Sequence, residues 1–445
     1  MDYQLLVGIL LGVALLLFLI LRLKLSAFIA LLIASIFVGL FAGLNPGQIM
    51  ATVQKGMAGT LGFVATVVGL GALFGAVLEH SGGAKAIAQF LLKKLGTEKA
   101  PLAMSLAGFI IAIPVFFDVA FIILIPMLYS VQRKTKKSLL LYAIPLLAGL
   151  AATHAFIPPT PGPIAVAEIL GVGLGQVILV GVLAGIPSVL LAGLFFGKYI
   201  AKKIHIDAPP MVGEEGEVEH KLPAISLILG IIATPIVLIL ISTFADSGIV
   251  AVPEKLKEII MLIGHPFMAL IIANILAWML LGIKQGYSKT ELLRVSNASF
   301  APAGTIILLT GAGGVFKQVL VDTGGGKMIA TALSDYGIPT LLFAFIAASL
   351  VRIIQGSATT AMLTAAGLVA PLIIDTGLSA MQTACITIAI ASGASIFSHV
   401  NDSGFWLVSQ YLGINEKQTF RSWTVMTTIL AITGFISVAV ISIIV

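Results

Sequence analysis

One cysteine, Cys385, and six histidines scattered from His80 to His399 provide neither a disulfide framework nor a cysteine-and-histidine zinc site. Charge is scarce too: Asp, Glu, Lys and Arg make up 10% of the 445 residues, hydrophobic residues 59%, and the mean hydropathy is +1.13. A soluble core does not absorb that much apolar surface, so the chain belongs in a lipid bilayer. Disorder is excluded by the same numbers. Nucleic-acid binding is a poor fit, because the 25 Lys and Arg lie in short loops between apolar runs. No metal and no cofactor is expected.

A helix needs roughly 20 apolar residues to cross the hydrocarbon, which predicts spans near 4–21, 25–43, 60–78, 173–197, 222–243, 260–283, 301–320 and 423–445. The first run is followed by Arg22, Lys24 and a second run, with no small-residue cleavage site, and so reads as a retained helix rather than a signal peptide. Two stretches resist a simple crossing. Residues 101–129 carry Pro114 at their centre, then Phe116, Phe117 and Asp118, leaving arms of about 20 Å each. Residues 339–374 repeat the pattern around a polar tip of Arg352, Gln355, Gly356 and Ser357. Both read as re-entrant hairpins, whose non-helical tips are tolerated at depth only inside protein or beside a water-filled cavity.

Two further stretches read as broken helices. In 139–170, four prolines and Gly162 fall within Pro158–Pro163, a run that cannot stay α-helical. In 380–412, the run from Ser398 to Gly404 interrupts an otherwise apolar crossing. The prolines also admit a purely conformational role, fixing the break without touching a ligand.

Threading these elements alternately puts 19 of the 25 basic residues on one side, in loops 22–24, 85–99, 133–137, 198–221, 284–294 and 417–421. Lys55, Lys255, Lys257, Lys317 and Lys327 fall on the other side, and Arg352 stands alone at depth. Because cytoplasmic loops collect Lys and Arg, the first side is expected to be cytoplasmic and both termini external. The first hairpin then enters from the cytoplasm and the second from outside. The acidic segment 202–221 reads as a cytoplasmic linker between units 1–201 and 222–445, or simply as a solvated loop.

The chain also repeats itself. At an offset of 242, Gly71, Phe74, Val77, Leu78, Gly82, Gly83, Lys85, Ile87 and Ala88 align with Gly313, Phe316, Val319, Leu320, Gly324, Gly325, Lys327, Ile329 and Ala330. The offset returns after the breaks, where Gly162, Val166, Leu170 and Gly171 meet Gly404, Val408, Leu412 and Gly413. The threading gives the copies opposite orientations. The expected fold is an all-α polytopic membrane protein of two inverted-topology repeats, each with a re-entrant hairpin and a broken transmembrane helix. That pattern marks secondary transporters, whose site lies near mid-membrane where the breaks converge.

An ionisable side chain within a span costs about 2.5–3.5 kcal/mol on insertion scales and is a functional candidate by default. Asp118, His154, Glu168, Arg352, His399 and Asp402 qualify; all but Glu168 fall on the breaks or hairpin tips. Arg352 with Gln355, Ser357 and Thr359, beside a helix N-terminus at Ser357, favours an anionic ligand carrying hydroxyls. Thr160, Ser398 and Asn401 add polar groups at the other breaks. The competing reading pairs Arg352 with Asp402 or Asp118 to hold the hairpin in place. Asp118, His154, His399 and Asp402 are candidates to carry a proton, since burial and neighbours tune carboxylate and imidazole titration. Asp402 beside Asn401 and Ser403 alternatively suits sodium, and a lone buried histidine is as readily a hydrogen-bonding residue of the interior. Pro114, Pro158, Pro159, Gly162, Gly356 and Gly404 mark the breaks as hinge positions.

Several segments together resemble the gluconate permease family of bacterial sugar-acid and hydroxy-acid symporters. They are Glu79-His80-Ser81-Gly82-Gly83-Ala84, the run Ile113 to Val119 around Pro114 and Asp118, the run Thr153 to Pro163, the run Phe316 to Gly324, Gly356-Ser357-Ala358-Thr359-Thr360-Ala361, and the run Phe397 to Trp406. The resemblance covers nearly the whole chain, with Thr360 where the family has Val and Ser403 where Ala is common. It implies proton-coupled import of gluconate or a related sugar acid across the bacterial inner membrane. It also implies a homodimer with a scaffold domain and a mobile transport domain, of elevator type, and no enzymatic activity. Sodium coupling, D-serine as the solute, a passive channel and a membrane-embedded enzyme using His154, His399 and an Asp are the alternatives.

Overall fold

A computed structural model describes residues 3–209, 222–246, 252–325, 328, 337–374 and 376–445. The first part of the chain forms α1 Tyr3–Leu21, α2 Ala27–Phe41, α3 Pro46–His80, α4 Gly83–Leu95, α5 Ala100–Ile111, α6 Phe117–Thr135, α7 Leu140–Phe156, α8 Pro161–Leu170, α9 Leu174–Val189 and α10 Phe196–Lys203. The second forms α11 Ile225–Asp246, α12 Glu254–Ile263, α13 Pro266–Leu276, α14 Lys289–Asp322, α15 Thr340–Gln355, α16 Ala358–Ile373, α17 Ala380–Ser395, α18 Ser403–Leu412, α19 Glu416–Thr419 and α20 Val425–Ile444. Short π-helical turns over Leu190–Phe195, Ala277–Gly282 and Phe420–Thr424 carry crossings through without a stop. Among the described residues there is no strand, and seven helical stretches are long and apolar enough to cross a membrane. The chain is an all-α multi-pass membrane protein.

The element boundaries follow local chemistry. Capping boxes, in which an N-cap side chain and a Gln three residues later satisfy each other's backbone N–H groups, start α3 (Asn45 with Gln48), α17 (Ser379 with Gln382) and α19 (Asn415 with Gln418). Glycines in the left-handed region stop others, and they recur at the repeat's own offset: Gly82 and Gly324 at φ 74°, Gly171 and Gly413 at φ 73° and 63°. Side chains are strained at such φ values, so these identities are backbone requirements. The other part of that alignment, Lys327, Ile329 and Ala330, lies outside the described residues, as do positions 210–221 of the acidic segment.

Helices stop at both predicted tips and at both predicted breaks, where proline, glycine and polar residues cluster. The arms α5 and α15, of 12 and 16 residues, are about 18 and 24 Å long, short of the roughly 30 Å of hydrocarbon. Several boundaries differ from the sequence reading, and α6 runs on to Thr135 rather than ending near residue 129. Spans 60–78 and 301–320 are the apolar middles of α3 and α14, of 35 and 34 residues, because their polar flanks are helix formers without a breaker. Span 260–283 divides at Gly264-His265-Pro266, where the His265 side chain caps the helix that Pro266 starts. Arg352, placed in an irregular tip, sits in the last turn of α15, and only Gly356 and Ser357 leave helical geometry.

Packing places the breaks at the centre. In its most apolar window, the α7–α8 stretch is 83% buried within the protein, against 33% for α11 and 28% for the stretch through α20, so the broken helix runs through the interior while the others face outward. Each outgoing hairpin arm packs on the broken helix of its own half, α5 on α7 and α15 on α17. Returning arms reach across the halves: Met362 of α16 rests against Gly162 at the start of α8, and Tyr129 of α6 donates to the Tyr411 carbonyl in α18. The long helices α3 and α14 touch through small residues, as membrane helices do. A Cβ on Gly56 would come within 2.6 Å of Val315 Cα. Gly56→Ala is therefore expected to lower stability by about 1–3 kcal/mol, read as an earlier unfolding transition in detergent; an unchanged transition would show that this crossing gives way freely.

Candidate functional site

Four helices begin at the four breaks: α6 after Phe116, α8 after Thr160, α16 after Ser357 and α18 after Asp402. All four starts converge on one cavity of about 430 Å³. Phe117 and Asp118, Gly162, Ala358 and Thr359, and Ser403 and Gly404 line it from the four first turns. A helix N-terminus carries the equivalent of about half a positive charge, although Pro161 and Pro163 leave α8 few N–H groups and Ser357 and Asp402 already cap α16 and α18. Four helix starts facing one space favour a negative charge there.

The charged side chains do not supply that positive potential. Arg352 is 4% exposed and donates through Nη1 to the Gly356 carbonyl and through Nη2 to Asp402 Oδ2. The same Asp402 oxygen accepts from Ser398 Oγ, and Asp402 Oδ1 caps α18 through Gly404 N at 3.2 Å. Trp423 Nε1 donates to Ser398 Oγ at 2.6 Å, and Ser398 N donates to Thr427 Oγ1 at 3.2 Å. The competing sequence reading of Arg352 as a hairpin tether thus has its partner in Asp402. Asp118 opens into the cavity with no hydrogen bond or salt bridge among the described residues, so the cavity side chains carry one cation and two carboxylates.

Of the residues read as ligands, Arg352, Gln355, Ser357, Thr359 and Asn401 line the cavity, and of the proton candidates Asp118, His154 and Asp402 do. Thr160, Ser398 and His399 do not. Thr160 is 4% exposed with its hydroxyl donated to the Ile157 carbonyl at 2.6 Å, and Ser398 is 1% exposed and supports Asp402. His399 donates from Nε2 to the Ile353 carbonyl at 2.8 Å, the carbonyl that Asn401 Nδ2 also reaches at 3.0 Å. Together they satisfy carbonyls at the end of α15, which fixes the His399 ring outside the cavity with Nδ1 as its remaining nitrogen. Gly162, Gly356 and Gly404 line the cavity, whereas Pro158 does not and Pro114 and Pro159 stand behind it, around a small void that His154 shares. A Cβ on Gly356 would overlap the Asn401 carbonyl oxygen, so the second hairpin is seated on the second break.

Sequence reading missed Trp423 and Thr427, on the final crossing, and Met362. Met362 lies between Thr360 and Thr364, and Trp423 and Thr427 lie among Ser422, Thr424 and Thr428, so hydroxyls on several faces left none of these positions distinguished.

Three residues that line the cavity each hold a buried polar atom without a hydrogen bond among the described residues: Arg352 Nε, Gln355 Oε1 and His154 Nδ1. One donates, one accepts and the imidazole does either according to its tautomer. Leaving such groups unpaired costs about 1–3 kcal/mol each. The space therefore suits a ligand with both hydrogen-bond donors and acceptors.

The family model for the GntP family permease matches residues 4–444. The chain is 42% identical over 391 residues to the low-affinity gluconate transporter of Escherichia coli, covering 87% of each. It is 37% identical over 404 residues to the gluconate permease of Pseudomonas aeruginosa, covering 89% of this chain and 88% of that one. With the gluconate permease of Bacillus subtilis it shares 35% over 418 residues, 89% and 90% of the two chains. In fold it is similar to the Alcanivorax borkumensis YdaH transporter, with a TM-score of 0.65, 14% identity and 89% of each chain covered. The Neisseria gonorrhoeae MtrF efflux pump gives a TM-score of 0.61 at 15% identity, over 88% and 83% of the two chains.

Proposed function

The chain belongs to the GntP permease family, and from that premise we propose that it imports gluconate or a closely related sugar acid across the inner membrane by proton symport. The observation that carries the solute class is the convergence of four helix starts with the polar side chains of Gln355, Ser357, Thr359 and Asn401 on one cavity. A carboxylate is held by the helix starts, and hydroxyl groups reach Gln355 Oε1, His154 Nδ1, Thr359, Ser357 and Asn401. Arg352 takes part through Nε while its other nitrogens stay on Asp402 and Gly356.

The charge balance supports the coupling. An anion entering beside Asp118 meets a like charge, and a proton on that carboxylate removes the repulsion, so anion and proton bind best together. His154 is the second candidate for that proton. The two units, 1–201 and 222–445, act as inverted repeats with cytoplasmic basic loops and external termini, and alternate access follows from exchanging their conformations. The hairpins and broken helices move as an elevator against the long helices, in a homodimer.

Labelled gluconate is expected to accumulate in proteoliposomes when the outside is made acidic, and gluconate is expected to raise the unfolding temperature of the purified protein. Uptake that ignores the pH gradient and follows a sodium gradient would sink the proton assignment. Stabilisation by D-serine and not by gluconate would sink the solute.

A further inference from the structure

A second cavity of about 420 Å³ lies against the first hairpin tip, and Phe116 lines both it and the substrate cavity. Its other walls are the end of α3 and the first half of α14, next to the basic loops 85–99 and 284–294 that mark the cytoplasmic side. The hairpin wall, Pro114, Val115, Phe116 and Val119, brings no ionisable group to it. From α3 come Glu79 and His80, and from α14 comes Arg294. His80 is occupied: its Nε2 meets Glu291 Oε1 at 2.9 Å, and the Tyr287 hydroxyl donates to its carbonyl at 3.2 Å. Glu79 is half-buried in the last turn of α3, beside His80 whose charge bears on it, and has no hydrogen bond or salt bridge among the described residues. A carboxylate kept there without a partner needs a functional reason.

The geometry ties Glu79 to the hairpin. Gly75 lies one turn before it on the same face of α3, where a Cβ would overlap the Pro114 carbonyl oxygen, so the tip rests directly on this part of the helix. Asp118 faces the substrate cavity and its neighbour Val119 the second one. Resting on the proton symport proposed above, we infer that Glu79 is the carboxylate through which the transported proton leaves for the cytoplasm. Asp118 gives up its proton when the tip shifts, Glu79 accepts it through water in the second cavity, and cytoplasmic water then takes it. The charged Glu79 is held open toward Arg294, while the neutral form lets the tip settle onto α3. Proton and sugar acid thus leave by different sides of one hairpin.

The test compares wild type, Glu79→Gln and Glu79→Asp in proteoliposomes with labelled gluconate, under a pH gradient and in gluconate-for-gluconate exchange at equal pH. E79Q is expected to lose accumulation on the gradient entirely while keeping wild-type exchange, which needs no net proton release, and E79D is expected to recover accumulation. Accumulation by E79Q, with the wild type driven by the gradient, overturns the inference. Loss of exchange together with accumulation overturns it too, since Glu79 would then serve binding or folding. A wild type that exchanges gluconate but ignores the gradient instead overturns the symport reading beneath it.

Discussion

Asp402→Asn is expected to destabilise the protein by about 3–5 kcal/mol and to abolish uptake, because it leaves the Arg352 guanidinium buried without its counter-charge. The side chains of this pair are 5% and 13% exposed, so little water is at hand to replace the lost carboxylate. An Asn there can still cap α18, but its single oxygen cannot serve Arg352 Nη2, Ser398 Oγ and Gly404 N as the two carboxylate oxygens do. Thermal unfolding in detergent reads the first effect and proteoliposome uptake the second. Adding Arg352→Gln to the variant removes the orphaned charge and is expected to return much of the stability but none of the transport. A single variant that unfolds at the wild-type temperature would mean the pair does not hold the hairpin to the break.

Asp118→Asn is expected to uncouple the protein. In the wild type, gluconate affinity falls as pH rises, because the anion binds best beside a protonated Asp118 and that form is lost toward alkaline pH. The amide is permanently neutral, so the variant binds gluconate with an affinity indifferent to pH over the same range and no longer accumulates it on a pH gradient. Calorimetric titration with gluconate at several pH values separates the two curves. Parallel pH dependence in wild type and variant would remove Asp118 from the coupling and leave His154 as the cavity's candidate.

Much of this was legible in the residues. Pro114, Pro158–Pro163 and Gly356 marked three of the breaks and the polar run Ser398–Gly404 the fourth, since a helix cannot run through Pro158–Pro163 and Gly356 takes a φ of 86°. The ionisable residues at the breaks were visible because charge is so rare elsewhere. What one dimension did not hold was partnership. Arg352 and Asp402 are fifty positions apart, and only the seating of one hairpin on one break selects Asp402 over Asp118. The roles of Thr160, Ser398 and His399 turned on which carbonyl or side chain stood within 3 Å, information that residue type does not carry. Hydropathy likewise hid the true ends of α3 and α14, for polarity ends an apolar run without ending a helix.

The glycine stops at matching positions have a further consequence. Thr160 and Asp402 are both N-caps at the same offset, and Phe116 and Ser357 cap the two hairpins' returning helices, yet in each pair the polar chemistry differs. The backbone was copied and the charges were not. The salt bridge belongs wholly to the second half, whereas Asp118 and Glu79 belong to the first. The cavity thus draws its buried ion pair from the second half and its unpaired carboxylate, Asp118, from the first, so substitutions at Thr359 or Ser403 change its lining without touching Asp118.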